Sequence, residues 1–365
     1  MADVSLTATS ARAERATREV LANLKKVPAT ARLAFRMLLK IKVGELRVVL
    51  PGGRALLFEG DERGPQAELI LTDYRCIGRA IAGGDIGFAE GYMAGDWDTP
   101  DLTALLALFS TNLDNVPRIG KGGPVQRFFH WIYHRMRPNT RRGAKKNIEA
   151  HYDLGNDFYE EWLAPTMTYS SARYENDGQS LADAQRNKYR QLADMIGLER
   201  DHHVLEIGCG WGGFAEYAAR DVGARVTCLT LSPSQRDYAI ARMERLQLSD
   251  KVEIKLQDYR DETGQYDRVA SIEMFEAVGQ EYWPSFFSKV SDVLKPGGKA
   301  GLQIISIRDD IFEGYSKRAD FIQRYIFPGG ILPSKEKLNG QFDRADLTLK
   351  TVESFALDYA RTLAE

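Results

Sequence analysis

VLEIGCGWGGF, residues 204–214, is a short apolar run that breaks into a turn made largely of glycine. Bare glycine backbone lets N–H groups approach a ligand with no side chain in the way, so phosphate, dinucleotide and nucleoside ligands are all open at this point. Outward from this stretch the chain alternates. Strand-like runs at 203–207, 225–230, 252–256, 267–272 and 299–306 are separated by helix-like stretches at 212–221, 234–247 and 284–293, the last two opening on Pro233 and Pro284. Such alternation predicts a parallel sheet with helices on both faces.

A P-loop would follow its last glycine with Lys-Ser or Lys-Thr, and neither stands here. The dinucleotide fingerprint G-x-G-x-x-G is not met either, since Gly208, Gly210, Gly212 and Gly213 give G-x-G-x-G-G. Acid, apolar residue, Gly, x, Gly resembles the first motif of the Rossmann-like S-adenosylmethionine methyltransferases. That resemblance implies backbone at Gly208 and Gly210 close beneath the methionine part of the cofactor. The next strand ends in CLTLSPSQ, residues 228–235, where Thr230 and Gln235 resemble the ribose and methionine contacts. In LQDYRD, residues 256–261, Asp258 resembles the acid that accepts from the adenine amino group, with Tyr259 also on the cofactor side. A helix N-cap is the plainer alternative for Asp258. YDRVASIEMFEAVG (266–279) and LKPGGKAGLQII (294–305) resemble the later motifs in order.

Upstream, NIEAHYDLGNDFYEEWLAPTMTYSSARY, residues 147–174, is similar to the signature of the cyclopropane-fatty-acyl-phospholipid synthases and the related mycolic acid methyltransferases. AGGDIGFAEGYMAGDWDTPDLTALL (82–106) resembles the N-terminal lipid-binding domain of the bacterial phospholipid enzymes, and MFEAVG and DFIQRYIFPGGILPS complete the set. The resemblance implies an α/β fold: a Rossmann-like class I methyltransferase with a seven-stranded type of sheet, beside a smaller N-terminal α+β lipid-binding domain. The expected division is 1–115 for the small domain, 116–146 for a basic linker and 147–365 for the methyltransferase domain. Because the chain stops at Glu365, shortly after Tyr359, the last strand is expected to be missing.

The implied activity is S-adenosylmethionine-dependent C1 transfer to the double bond of an unsaturated acyl chain of a membrane phospholipid. Methyl- or methylene-branched products without ring closure, and methylation of a small soluble acceptor, stand as alternatives. Tyr169 and Ser170 would close over the cofactor. The family's base is a bicarbonate held by Cys, Glu, His and Tyr side chains and an Ile main-chain group. Glu276, Ile305 and Tyr359 match that set, whereas Ser171 and Gln303 stand where the family pattern has cysteine and histidine. Serine and glutamine still hydrogen-bond an anion, but glutamine does not shuttle a proton as histidine does. C1 transfer is therefore expected to be kept while the fate of the cation differs. IFPGGILP, residues 326–333, is expected to wall an acyl-chain channel with Ile326, Phe327, Ile331 and Leu332.

A chain of 365 residues, 44% hydrophobic and 27% charged, has enough apolar content for two cored domains. The first half reads as a helix over 15–42, with Arg32, Arg36 and Lys40 on one stripe and Leu33, Met37, Leu38 and Ile41 on another. β-like runs ELRVVL, RALLFEG and AELILT follow, then helices near 78–92 and 101–112, a small α+β pattern. Cys76, Cys209 and Cys228 show no paired spacing, and the five histidines show no metal-ligand spacing, so neither a disulfide framework nor a metal is expected.

The formal net charge of −2 conceals a local asymmetry. Between Asp114 and Glu149 there is no acid, but Arg118, Lys121, Arg127, Arg135, Arg137, Arg141, Arg142, Lys145 and Lys146 are present, interleaved with FFHWIY at 128–133. This mixture suits an anionic membrane surface; a solvated linker is the alternative, and no nucleic-acid motif accompanies it. No window approaches a membrane span and no signal peptide opens the chain. The expected location is cytoplasmic, at the inner face of the membrane, and a second copy of the chain is a further candidate partner.

Overall fold

The computed structural model describes residues 13–115 and 155–365, which fall into two compact units. The basic stretch 116–146 and the start of the 147–174 motif lie outside the described residues.

The first unit is a mixed sheet with helices. β1 (Glu14–Arg15), β2 (Val43–Val49), β3 (Ala55–Glu59), β4 (Glu62–Leu71) and β5 (Trp97–Asp98) form a five-stranded sheet in the order β1-β3-β2-β4-β5. β2 alternates buried and half-buried residues along its length, as a strand with one face on a core must. The helix expected over 15–42 is instead two, α1 (Arg18–Ala22) and α2 (Ala29–Leu38). Lys26 sits between them at φ 67 and Pro28 caps α2, so the 3.6-residue periodicity on either side joined segments that the backbone separates. α3 (Arg75–Met93) is kinked at Gly84, whose φ of 60 and ψ of −136 no side-chain-bearing residue readily adopts. α4 (Leu102–Thr111) ends on the buried Asn112. Its Oδ1 accepts from Lys42 N at 2.9 Å and Val43 N at 3.2 Å, and its Nδ2 donates to Val43 O and Leu108 O, so one amide ties helix to sheet. Leu46, Val48, Leu56, Phe58, Trp97 and Leu105 fill the core beside the buried Cys76.

The second unit is doubly wound. Its sheet runs β10-β9-β6-β7-β8, with β6 (His203–Ile207), β7 (Arg225–Thr230), β8 (Val252–Leu256), β9 (Tyr266–Ile272) and β10 (Leu294–Gln303) all parallel. Successive residues of β6 serve opposite faces. Val204 packs with Phe214, Ala215, Met243 and the free thiols Cys209 and Cys228, while Leu205 and Ile207 pack with Phe275, Trp283, Phe286 and Val290. The helices supplying those faces are α5 (Asn156–Glu160), α6 (Leu181–Ile196), α7 (Gly213–Tyr217), α8 (Pro233–Arg245), α9 (Trp283–Val293), α10 (Asp309–Tyr315), α11 (Lys335–Phe342) and α12 (Ala356–Ala364). α8 begins as its sequence dictates, with Ser232 Oγ accepting from Gln235 N and Pro233 in the first turn. β10 starts at Leu294 rather than 299 because Leu294 already pairs with Tyr266, and the Pro-Gly-Gly that follows is accommodated as a register shift. Among the described residues the sheet has five strands.

Candidate active site

The order β10-β9-β6-β7-β8 places the switch in chain direction at β6, whose neighbours are β7 and β9. In an open parallel sheet the crevice outside the carboxyl ends of the strands at that switch is where ligands bind. Every residue singled out after a strand lies on this edge: Gly208 and Gly210 after β6, Thr230 ending β7, Asp258 after β8, Glu276 after β9, and Gln303 and Ile305 at the end of β10.

Gly208 and Gly210 both have positive φ, 83 and 53. A Cβ on Gly208 would lie 2.6 Å from Met274 Cγ, whereas one on Gly210 would meet nothing within 4 Å. The turn is therefore packed tightly underneath and bare on its outer side, the shape a nucleoside cofactor needs. Thr230 and Gln235 are brought together: the Thr230 hydroxyl donates to Gln235 Oε1 at 3.1 Å, and both are buried. Asp258 takes the plainer role as well, accepting from Arg260 N and Nε at 2.9 Å and from Nη2 at 2.6 Å. The Tyr259 ring packs edge-on to Phe286 at 5.3 Å, and burial pushes its phenol up to about 12.

Trp211 of the glycine turn donates to Asn156 Oδ1 at 2.8 Å, which ties α5 to the turn. From there an aromatic wall runs Trp211–Tyr159 (5.0 Å), Tyr159–Tyr169 (5.7 Å) and Tyr169–Phe327 (6.2 Å), with Trp162 edge-on to Tyr169. Phe327 belongs to IFPGGILP, and Ile331 N of that segment donates to the Glu276 carbonyl at 2.8 Å.

α6, which periodicity did not single out, holds the segment carrying Tyr169, Ser170 and Ser171. Its Tyr189 hydroxyl bonds Thr168 at 2.7 Å, Gln185 Nε2 donates to Ser170 O at 2.8 Å, and Lys188 Nζ donates to Ser170 Oγ at 2.7 Å. From the other side, Ala172 N donates to Thr362 of α12 at 2.9 Å. Lys188 is fully enclosed, and burial brings its ammonium down to about 7 against the pull of Glu273 and Glu206. Glu206, the acid of the opening motif, is pushed up to about 8 by burial and accepts from the Cys228 thiol at 3.6 Å.

Glu276, Ile305, Gln303, Ser171 and Tyr359 converge, together with a residue the sequence reading passed over, Glu273. Glu276 Oε1 accepts from Ile305 N at 2.5 Å, and its Oε2 is buried with no partner. Burial first, and the Glu273 charge second, push Glu276 up to about 8. Glu273 Oε1 accepts from Ser171 N at 2.9 Å and Gln303 Nε2 at 2.7 Å. Tyr359 on α12 is pushed up to about 12 by burial, then by the charges of Glu273, Tyr169 and Glu276. The signal for Glu273 was available, namely a second acid one turn before Glu276 at the carboxyl end of a parallel strand. A small anion such as bicarbonate does not fit this donor set, because Ser171 N, Gln303 Nε2 and Ile305 N already donate to the chain's own carboxylates and the Ser171 hydroxyl donates to Ala172 O.

Residues 139–365 match the family model described as mycolic acid cyclopropane synthetase. The chain belongs to that family. Tuberculostearic acid methyltransferase of Mycobacterium tuberculosis is 37% identical over 355 residues, covering 92% of this chain and 80% of the relative. The cyclopropane-fatty-acyl-phospholipid synthase of Escherichia coli is 33% identical over 298 residues, 78% of this chain and 72% of the relative. A mycolic acid cyclopropane synthase solved with S-adenosylhomocysteine (SAH) and CTAB superposes with a TM-score of 0.56 at 30% identity, over 60% of this chain and 80% of its own. This member of the cyclopropane synthetase family is an S-adenosylmethionine-dependent methyltransferase. When bound, S-adenosylmethionine supplies an electrophilic methyl carbon. No described helix is long and apolar enough to cross a membrane.

Proposed function

We propose that the enzyme transfers a C1 unit from S-adenosylmethionine to the double bond of an unsaturated acyl chain of a membrane phospholipid. The observation that carries this reading is the convergence of Glu273, Glu276 and Tyr359 beside an aromatic wall that starts at the glycine turn. An isolated alkene is a weak nucleophile, so the methyl donor must be held against it with water excluded. Transfer leaves a positive charge on the chain, which the faces of Tyr159, Tyr169 and Phe327 suit, and a carboxylate then suits removal of a proton. The relatives named for lipid products, and a solved relative holding CTAB, an amphiphile with a long alkyl tail, support a chain-like acceptor.

Gln303 in place of a titratable residue favours a second outcome for the same cation, a methylene branch instead of a ring. The proposed cofactor contacts are Tyr169, Ser170, Gly208, Gly210, Thr230, Gln235, Asp258 and Tyr259. Incubation with S-adenosylmethionine labelled in the methyl group and vesicles of unsaturated phospholipid, then mass spectrometry of the released chains, tests the proposal. The expected result is label on the acyl chain; a ring product removes the methylene outcome. Labelling of a small soluble acceptor with none on lipid overturns the reading.

A further inference from the structure

We propose that Glu273 is the base of this reaction, a carboxylate built into the site that makes a bound bicarbonate unnecessary. The inference rests on the functional reading above and assigns the proton acceptor within it.

Glu273 follows β9 directly, at φ 47, a left-handed conformation that a side-chain-bearing residue adopts only where its surroundings impose it. Those surroundings are specific. Ser171 N and Gln303 Nε2 both donate to Oε1, which fixes the carboxylate plane, and Oε2 accepts no hydrogen bond from any described residue. One oxygen is thus clamped and the other is free to receive a proton. Burial raises Glu273, and Lys188 with the two donors favours its charged form against that rise.

Glu276 is the wrong partner for this role. Among the described residues its carboxylate accepts one hydrogen bond, from a backbone N–H, and the adjacent Glu273 charge raises it further. Two carboxylates this close share protons unequally, so Glu276 keeps the proton and Glu273 carries the charge. Gln303 then has a use that explains its neutrality: its side-chain amide donates to a carboxylate of the chain, a task needing no titration, where histidine would hold a separate anion. Ser171 donates to the same oxygen through its backbone N–H, while its hydroxyl donates to Ala172 O.

The step balances without a redox partner. The alkene π pair forms the new carbon–carbon bond as the methyl carbon leaves sulfur, and positive charge appears on the neighbouring chain carbon. A proton then leaves the transferred methyl for Glu273 Oε2. Its C–H pair closes a three-membered ring or, after a hydride shift along the chain, forms a methylene double bond.

The test uses the full chain, Glu273→Gln and Glu273→Gly, with unsaturated phospholipid vesicles. The glycine variant suits the positive φ and opens the space a small anion would fill. Wild-type turnover is expected within about twofold in carbon-dioxide-purged buffer, and E273Q is expected to lose about a hundredfold in turnover, a typical loss for a removed base. Calorimetry is expected to give both variants wild-type affinity for S-adenosylmethionine. Without cofactor or lipid, bicarbonate is expected to raise the melting temperature of E273G and leave wild type unmoved, and to restore turnover to E273G. Wild-type turnover that collapses on bicarbonate removal, or E273Q at the wild-type rate, overturns the proposal while leaving lipid C1 transfer standing. A wild-type chain that binds S-adenosylmethionine yet labels no lipid overturns the functional reading and, with it, the step a base would serve.

Discussion

Replacing each of the first two glycines of the turn after β6, Gly208 and Gly210, by alanine should separate fold stability from cofactor binding. At Gly208 the new Cβ has to sit at φ 83 and within 2.6 Å of Met274 Cγ and 2.9 Å of Met274 Cβ, atoms near the backbone that cannot swing away. The left-handed conformation costs about 1–2 kcal/mol. Overpacking against Met274 adds about 1–3 kcal/mol. G208A is therefore expected to lose several kcal/mol of stability in urea unfolding. It should also slow turnover at saturating cofactor, because Met274 sits between Glu273 and Glu276 in the chain. At Gly210 the conformational cost is similar, with φ 53, but the added methyl meets no protein atom within 4 Å. G210A should lose only about 1–2 kcal/mol of stability. With the cofactor placed over this turn as proposed, its methyl would enter the cofactor's space, so calorimetry should show S-adenosylmethionine affinity reduced at least about tenfold, equivalent to 1.4 kcal/mol. G210A with wild-type affinity would refute the placement of the cofactor over this turn. G208A unfolding with the wild type would refute the close approach to Met274.

Glu276 carries its proton in the fold up to about 8 against an ordinary 4.5, so the folded state binds more protons than the unfolded one between those values. The associated stability is present below the lower value and is lost as pH rises through the upper one. Glu276→Gln should therefore gain on the wild type in urea unfolding as pH goes from 5 to 8.5, and a constant difference would contradict the assignment. Arg242 pairs with Glu216 at 2.6 Å and donates to Thr166 O and Trp211 O from a buried position. Arg242→Met should cost about 3 kcal/mol, the lower end for a broken buried pair, since Arg220 still faces Glu216; unfolding at the wild-type midpoint would exclude that role. Changing Arg141, Arg142, Lys145 and Lys146 together to glutamine should weaken co-sedimentation with anionic vesicles most at low salt, and salt-independent binding by both proteins would favour a plain linker.

The methyltransferase sheet was legible because each strand is a short apolar run closed by a turn, and proline and serine mark where α8 begins. Periodicity failed where backbone detail decides. Lys26 and Pro28 split the first helix without disturbing its apolar stripe, and the Leu294 pairing lies on the far side of a Pro-Gly-Gly. α6 was missed for another reason. Its inward face carries Gln185, Asn187 and Lys188, which a hydropathy pattern reads as solvent-facing although all three are buried. Lys188 was invisible for the same cause, since burial of polar groups depends on partners distant in the chain, whereas Glu273 stood in view as a second acid shortly before Glu276. Glu276, Gln303, Ile305, Ser171 and Tyr359 were found by their similarity to a family pattern, and the fold brings them to one place. What the pattern did not contain is the acid that takes up their donors.

The three cysteines give each unit its own reporter of opening. Burial pushes the Cys76 thiol up to about 11 and raises Cys228 well above its ordinary value, so neither offers an alkylating reagent a thiolate while the protein is closed. Under native conditions the rate at which Cys76 becomes labelled would clock excursions of the N-terminal sheet, and the rate at Cys228 those of the cofactor-binding one. Whether the two halves breathe together or independently could thus be read from a single time course by peptide mass.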